Sequence, residues 1–287
     1  MFMDFIRKYW RESILSILLL TNLAVWVIIY EKRPSDILSI YFLDVGQGDS
    51  IFIDSPTHGR LLIDGGPNSK VLTELGKILP FGDRRIDVVI GSHPDADHIG
   101  GLVDVINRYD IGAYLEPGVK SPNNVHLVLE KEIKNKNIPN ILARRGMVVD
   151  FGDGARLEIL FPNRDVTNWE TNDASIVAKL IYGDESFLLT GDSPKYAEYL
   201  LLALDPSDLK SSVLKVGHHG SQTSTSLPYA TAVNPEYAII SAGLNNRYGH
   251  PHKDVLDILN QVGAKILSTI DLGTIEFETD GQTLEVK

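Results

Sequence analysis

The chain contains no cysteine. That single absence removes disulfides and thiolate metal sites together, so any metal must be held by His, Asp, Glu or Asn. It leaves the compartment open, because a chain without thiols is indifferent to redox state. Internal repeats and low-complexity runs are also missing, and an ordinary composition argues against global disorder. Basic charge is in short supply: 27 Lys and Arg stand against 38 Asp and Glu. Residues 1–36 hold Arg7, Lys8, Arg11, Lys32 and Arg33 against Asp4, Glu12, Glu31 and Asp36, a net of +1, which leaves −12 for residues 37–287. An acidic domain repels nucleic acid at long range. A nucleic-acid substrate would need bound cations, a local basic patch or a partner that delivers it.

Charge is absent altogether from Ser13–Tyr30, "SILSILLLTNLAVWVIIY". As a helix this run reaches roughly 27 Å, close to the hydrocarbon thickness of a bilayer. Trp10, Trp26 and Tyr30 stand where interfacial aromatics sit. A buried core helix and a cleaved signal peptide are the rival readings. A helix apolar on every face suits a free N-terminus poorly as a core element, and no A-x-A-like site follows the run. The expectation is therefore a cytoplasmic tail at 1–12, a single transmembrane anchor at 13–30, a polar linker at 31–36 and one domain at 37–287. Three basic residues before the span and two after it predict a cell-membrane protein with its domain extracytoplasmic.

From Ile37 onward strands and helices mix. "LSIYFLDV" and "SIFID" read as strands about a Gly-rich turn, "GQG". "RLLID", "IDVVIGS", "ARLEILFP", "SVLKVG", "YAIISAG" and "KILSTI" are further strands of buried length. "SIVAKLIYG" and "SFLLTGD" form a hairpin, as does the terminal "TIEFETDGQTLEV". "TELGKILP", "IGGLVDVINRYD", "VHLVLEKEIKNKN", "PKYAEYLLLAL" and "KDVLDILNQVG" have helical spacing. The pattern is an α/β domain of stacked sheets covered by helices.

Chemistry concentrates where buried strands end. "VVIGSHPDADH" places His93, Asp95, Asp97 and His98 in six residues, just before a helix. His93 with Asp95, and Asp97 with His98, suit two metal positions. The plainer reading is a turn with an Asp as helix N-cap. "FLLTGD" offers Asp192 and "VLKVGHHGS" offers His218 and His219, again past strand ends. Three such ends in one domain carry more weight than any alone.

These segments, with "FLDVGQGDS", "LLIDGG", "NDAS" and "NRYGHP" in the same order, resemble the metallo-β-lactamase superfamily. Within it they are most similar to the hydrolase-like C-terminal domain of ComEC, a membrane channel protein of bacterial DNA uptake. The resemblance covers residues 38–287. It implies a four-layer αβ/βα sandwich with one or two divalent ions, Zn²⁺ or Mn²⁺, at one edge. Carried over by position, His93 and Asp95 serve the first ion and Asp97 and His98 the second. Asp192 bridges, and His218 completes the second site, with His219 as the alternative. Asp64 orients the metal loop, with Asp44 a structural neighbour. Two departures stand out. Asp95 replaces a common His, and only Asn172 or Asp173 is available where a further ligand His is usual. Both exchange nitrogen for oxygen ligands and shift preference towards Mn²⁺ or Mg²⁺.

Of the remaining residues, Asp49 either touches substrate or accepts a local turn hydrogen bond. His250 either protonates a leaving group, binds phosphate or packs in a loop. Ser221 binds substrate or caps a helix, and Lys215 reads as a snorkelling lysine. His58, His126 and His252 have no partner in the sequence and read as surface or structural. The expected activity is hydrolysis of a phosphodiester by cation-activated water, with Asp97, His219 and His250 as catalytic residues and Asp49, Asn172 and Ser221 on the substrate. The resemblance implies single-stranded DNA as the first substrate class and a DNA-uptake channel as partner. A non-catalytic binding module and a phosphodiesterase of cell-wall polymers are the alternatives.

Overall fold

Ile51, Phe52 and Ile53 are consecutive and buried, yet they belong to two cores: Ile51 and Ile53 join one, Phe52 the other. Successive strand side chains point to opposite faces, so a strand covered on both sides reads as a continuous apolar run. Leu61 and Ile63 against Leu62, and Phe187 and Leu189 against Leu188, repeat the split. Each such buried side chain contributes about 1.5–3 kcal/mol relative to exposure.

The computed structural model describes the backbone of residues 2–31 and 36–287, and side chains at 9–23, 25, 26 and 36–287. It divides into two compact units, Met1–Ser35 and Asp36–Lys287. The first carries the helix α1 (Phe2–Glu31), along which Leu15, Ile17, Leu18, Leu19, Leu20 and Leu23 are exposed. Among the described residues no helix is long and apolar enough to cross a membrane. The expected span at 13–30 lies partly outside the described side chains, as does most of the tail, and linker residues 32–35 lie outside the described residues.

In the second unit the described residues form two sheets. The eight-stranded sheet runs β15 (Leu284–Val286), β14 (Ile275–Thr279), β1 (Leu38–Phe42), β2 (Ile51–Asp54), β3 (Arg60–Ile63), β4 (Arg85–Ile90), β5 (Asp110–Glu116) and β6 (Asn140–Leu142). The seven-stranded sheet runs β13 (Lys265–Ser268), β12 (Tyr237–Ile240), β11 (Val213–Lys215), β10 (Glu185–Leu189), β9 (Val177–Tyr182), β8 (Arg156–Phe161) and β7 (Val148–Asp150). Their inner faces meet around Phe42, Ile53, Leu61, Leu180, Phe187 and Phe277. Outside the first sheet lie α2 (Lys70–Ile78), α4 (Leu102–Arg108) and α5 (Asn124–Asn135), through Leu75, Val105 and Leu129. Outside the second lie α6 (Lys195–Leu204), α7 (Leu227–Val233) and α8 (Lys253–Gln261), through Leu201, Val233 and Leu259. This is the expected αβ/βα sandwich. Two single turns, α3 (Ala96–Ile99) and α9 (Thr269–Leu272), follow strand ends.

Some elements escape the sequence pattern. The helix expected to run to Asp110 ends at Arg108, and β5 begins at Asp110. Gly112 and Ala113 are weak strand formers, so β5 exists through its parallel pairing with β4 and β6. A side chain at Gly112 would meet the Asp87 carbonyl oxygen at 2.5 Å. The neighbouring strands β3 and β4 are parallel, as are β10, β11 and β12, so the carboxyl ends of both runs can supply one edge. Open parallel sheets place their ligand crevices there.

Candidate metal centre

Asp64, Ser92–His98, Asp192, His218–His219 and Ser241 all lie just past the ends of strands, β3, β4, β10, β11 and β12 respectively. The side chains of His93, His98, His218 and His219 converge on Asp192, which is 2% exposed. Asp192 Oδ1 lies 3.1 Å from His98 Nε2 and 3.5 Å from His219 Nε2. Asp192 Oδ2 lies 3.6 Å from His218 Nε2 and 3.9 Å from His93 Nε2. Each oxygen therefore faces its own pair of imidazoles. Asp97 Oδ2 joins the Oδ1 side, 3.5 Å from His219 Nε2, and Asp95 Oδ2 joins the Oδ2 side, 3.7 Å from His93 Nε2.

All four rings are held by Nδ1. His219 Nδ1 lies 2.9 Å from the Ser241 carbonyl, which can only accept, so that nitrogen carries the proton. His98 Nδ1 lies 2.7 Å from Asp64 Oδ2. Ser92 Oγ donates to Asp64 Oδ2 at 2.6 Å and so accepts from His93 Nδ1 at 3.0 Å. Thr223 Oγ1 donates to Ser221 Oγ at 3.0 Å and accepts from His218 Nδ1 at 2.9 Å. Fixing Nδ1 outward leaves each Nε2 lone pair aimed inward, the arrangement that orients metal-binding histidines.

The inward atoms lack partners. Nε2 of His93, His98 and His219 and Oδ1 of Asp192 are buried without a hydrogen bond. Buried polar atoms left this way are costly unless something else satisfies them. Two donors about 2.1 Å from a shared tetrahedral ion stand roughly 3.4 Å apart, within the 3.1–3.9 Å spread seen here. Ligating atoms of Asp49, His98, Asp192 and His219 all lie within 4.8 Å of one another, a candidate metal-binding cluster. The residues present fit a divalent cation.

Charge is finely balanced in the cluster. Burial pushes Asp192 up, but His219 and His98 outweigh it and hold the carboxyl well below its ordinary range. Burial pushes His98 down, but Asp192 and Asp64 carry it well above an ordinary histidine. His219, against burial, is raised to about 9 by Asp192 and Asp49. In His93, burial and then the His98 charge both lower the pKa. The carboxylates thus favour positive charge at His98 and His219, and a bound cation would supply that charge instead.

Several expectations change. His219, not His218, faces Asp97 and His98, while His218 faces the oxygen shared with His93. The first side thereby gains an imidazole despite Asp95 and the lack of a His near Asn172. The cause is the "GHHG" turn, where both histidines are left-handed (φ 49° and 55°), so the neighbours diverge. Asp49 does not reach out towards substrate: it is buried, 2.7 Å from Lys215 Nζ through Oδ2, with Oδ1 3.3 Å from His219 Nδ1. Lys215 is fully buried and does not snorkel. Its strand looked simply apolar, and only the partner explains it. Ser221 Oγ accepts from the Thr223 backbone N–H (3.3 Å) and hydroxyl, so its oxygen is engaged within the turn. Asn172 lies in a 3-10 turn, with a described side-chain contact only to Thr171 at 3.5 Å. Asp95 is the N-cap residue of α3 yet makes no side-chain cap bond, so the capping role is unfilled and its carboxylate stays on the His93 side. Asp64 Oδ1 accepts from Ser92 N–H at 2.7 Å and thus anchors the metal loop. Asp44 binds Lys70 at 2.9 Å and the Gly46 N–H at 3.1 Å. Burial, then His219, His218 and His252, lower His250 to about 4, so the ring is neutral at pH 7. Proton donation is the weaker of its stated roles.

A model described as the metallo-beta-lactamase superfamily matches residues 43–243, which hold every residue of this cluster. The chain belongs to the metallo-beta-lactamase superfamily. ComE operon protein 3 of Bacillus subtilis is 33% identical over 254 residues, 82% of this chain and 32% of its own length. Competence protein ComA of Neisseria gonorrhoeae is 31% identical over 248 residues, 86% of this chain and 33% of its own. Recombination protein 2 of Haemophilus influenzae is 28% identical over 270 residues, 92% and 32%. The chain spans about a third of the length of these curated relatives. They support the ComEC-like branch of the superfamily. Among solved structures, the metallo-beta-lactamase fold protein YhfI of Bacillus subtilis aligns with a TM-score of 0.56 at 11% identity, covering 84% of this chain and all of that one. A metallo hydrolase of Ignicoccus hospitalis aligns at 0.53 and 15%, covering 84% and 99%. These two likenesses are of fold. Membership of the superfamily makes the chain, broadly, a metal-dependent hydrolase.

Proposed function

We propose that the chain is a membrane-anchored metal-dependent phosphodiesterase acting on a nucleic-acid strand. The observation that carries this reading is the convergence of His98 and His219 on one oxygen of Asp192, and of His93 and His218 on the other. With Asp97 on one side and Asp95 on the other, each side offers two nitrogen and two oxygen donors, a set suited to Zn²⁺ or Mn²⁺. When bound, a divalent cation there supplies Lewis-acid activation of water and neutralises charge developing on a phosphoryl group. The protein's own part is positional. Asp64, Ser92, Thr223 and Ser241 fix the four rings, so nothing need reorganise as substrate arrives. His250, neutral and beside His218 and His219, is placed to hydrogen-bond a phosphoryl oxygen or leaving group.

Relatives named for competence and recombination support a nucleic-acid substrate and a DNA-uptake channel as partner. The uncharged run at 13–30 and the exposed leucines of α1 support a membrane anchor, and three basic residues before it against two after it support a domain outside the cell membrane. The test uses the full chain in detergent, loaded with Mn²⁺ or Zn²⁺. Metal content is read by mass spectrometry, and hydrolysis by release of nitrophenol from bis-p-nitrophenyl phosphate and by cutting of single-stranded DNA. The wild type is expected to retain metal and cut both. Equal rates from wild type and a double Asp97→Ala, Asp192→Ala variant would refute the proposal.

A further inference from the structure

The loop between β12 and α8 carries side chains outward from the candidate centre. His250 has its ring centroid 5.7 Å from His218 and 6.3 Å from His219. Tyr248 stacks on His250 at 5.5 Å with the planes 20° apart. Arg247 Cζ lies 4.8 Å from the Tyr248 centroid, and its Nη2 donates to the phenol oxygen at 2.6 Å. Unlike His250, Tyr248 and Arg247 face solvent, Tyr248 being 48% exposed. The loop is not slack. Asn246 Nδ2 donates to the carbonyls of Gly243 (3.0 Å) and His250 (2.7 Å), and its Oδ1 accepts from the His250 N–H (3.0 Å). Gln47, from the β1–β2 loop, accepts from the Gly243 N–H at 3.1 Å. An exposed aromatic in a loop braced from both sides loses little freedom when a ligand lands on it.

Metal binding and hydrolysis use neither Tyr248 nor Arg247. We propose that these two side chains form a strand-binding subsite, in which a nucleobase next to the scissile phosphate stacks on the tyrosine–guanidinium surface and Arg247 meets a neighbouring phosphate. The subsite rests on the hydrolytic reading for the position of that phosphate. Two physical points select this ligand class. Aromatic rings and guanidinium planes both stack on bases, and such stacking tolerates any base. A choline-like ligand would be drawn to an aromatic face by cation–π attraction, but Arg247 already supplies a cation there and would repel a second. Arg247 also brings positive charge to the rim of a domain whose net charge is −12.

The test measures binding and needs no turnover. Fluorescence anisotropy is read with the full chain in detergent and EDTA, using an oligothymidylate and an abasic oligonucleotide of equal length. The wild type is expected to bind the base-bearing strand about tenfold more tightly. Tyr248→Leu should abolish that preference and Tyr248→Phe should keep it. Arg247→Ala should weaken both strands several-fold. A wild-type ratio near one, no measurable binding of either strand, or a Tyr248→Leu variant that keeps the preference overturns the subsite. So does competition by phosphocholine at concentrations where thymidine monophosphate has no effect. If hydrolysis fails while the ratio stands, the proposed function falls and the subsite does not. If hydrolysis stands and the ratio is one, the reverse holds.

Discussion

Lys215 and Asp49 show how one buried residue depends on another. Both are essentially removed from water, and Asp49 divides its oxygens between the lysine and His219. Burial raises the Asp49 pKa, but Lys215 and then His219 overcome it and hold the carboxyl below its ordinary range. Removing the lysine leaves a buried carboxylate beside His219 without its largest source of compensation. Lys215→Met is expected to cost about 3–5 kcal/mol of stability, as breaking buried pairs does, measured by urea unfolding. A double Lys215→Met, Asp49→Leu variant should recover much of that loss, because no charge is left stranded. Its metal content should still fall, since His219 loses a partner of Nδ1.

At the scale of elements, the centre depends on loops pressed against each other. Gly48, between β1 and β2, has φ +136°, and a Cβ there would sit 2.1 Å from the Asp97 carbonyl oxygen. Gly48→Ala should destabilise the domain by at least ~1 kcal/mol through strain and lower bound metal, read by thermal melting and mass spectrometry on one sample. Behind the metal loop, His126 of α5 reaches Glu116 of β5 at 3.6 Å. Glu116 raises the His126 pKa, against burial, with Glu130 adding to the rise. A histidine raised on folding stabilises most below its ordinary pKa, and the benefit fades as pH climbs through the raised value. The stability gap between wild type and His126→Gln should therefore be larger at about pH 6 than at about pH 9, by chemical denaturation at each pH. The strand-end motifs made the metal loop, Asp192 and the histidine doublet legible in the sequence. The assignment within the doublet was not legible, because it follows from two left-handed residues in succession. The Lys215–Asp49 pair was hidden for a related reason: its members are 166 positions apart and meet only when two sheets stack. Elements short or poor in strand formers, such as β5 and β6, were missed, since their neighbours make them strands.

For the whole molecule, stacked sheets covered by helices were readable from the apolar runs, while the four-layer αβ/βα order came from the family resemblance. Charge distribution has consequences at this scale too. The domain's net −12 repels a polyanion before contact, and salt screens that repulsion over about 10 Å at 0.1 M. The association rate with single-stranded DNA is expected to rise as salt increases from very low values to about 0.15 M, measured by stopped-flow fluorescence. A neutral nitrophenyl phosphotriester, used as a non-ionic control ligand, should show no such rise.

The pairing of β1 with β14 sets an order in time. Leu38 sits opposite Thr279 and Phe42 opposite Ile275. The strand made first in the domain thus waits for one of the last, and just beyond β1 the Asp44 N–H likewise donates to Thr274 Oγ1 at 3.0 Å. During synthesis, β1 and β2 emerge with one edge open, while the loop that carries His93 to His98 is already outside the ribosome. Until the final hairpin arrives and closes that edge, the nascent domain presents ligating side chains on an unfinished sheet. Such long-range closure is slow in general, so the interval in which a chaperone, or a stray metal, can meet the immature centre is written into the strand order.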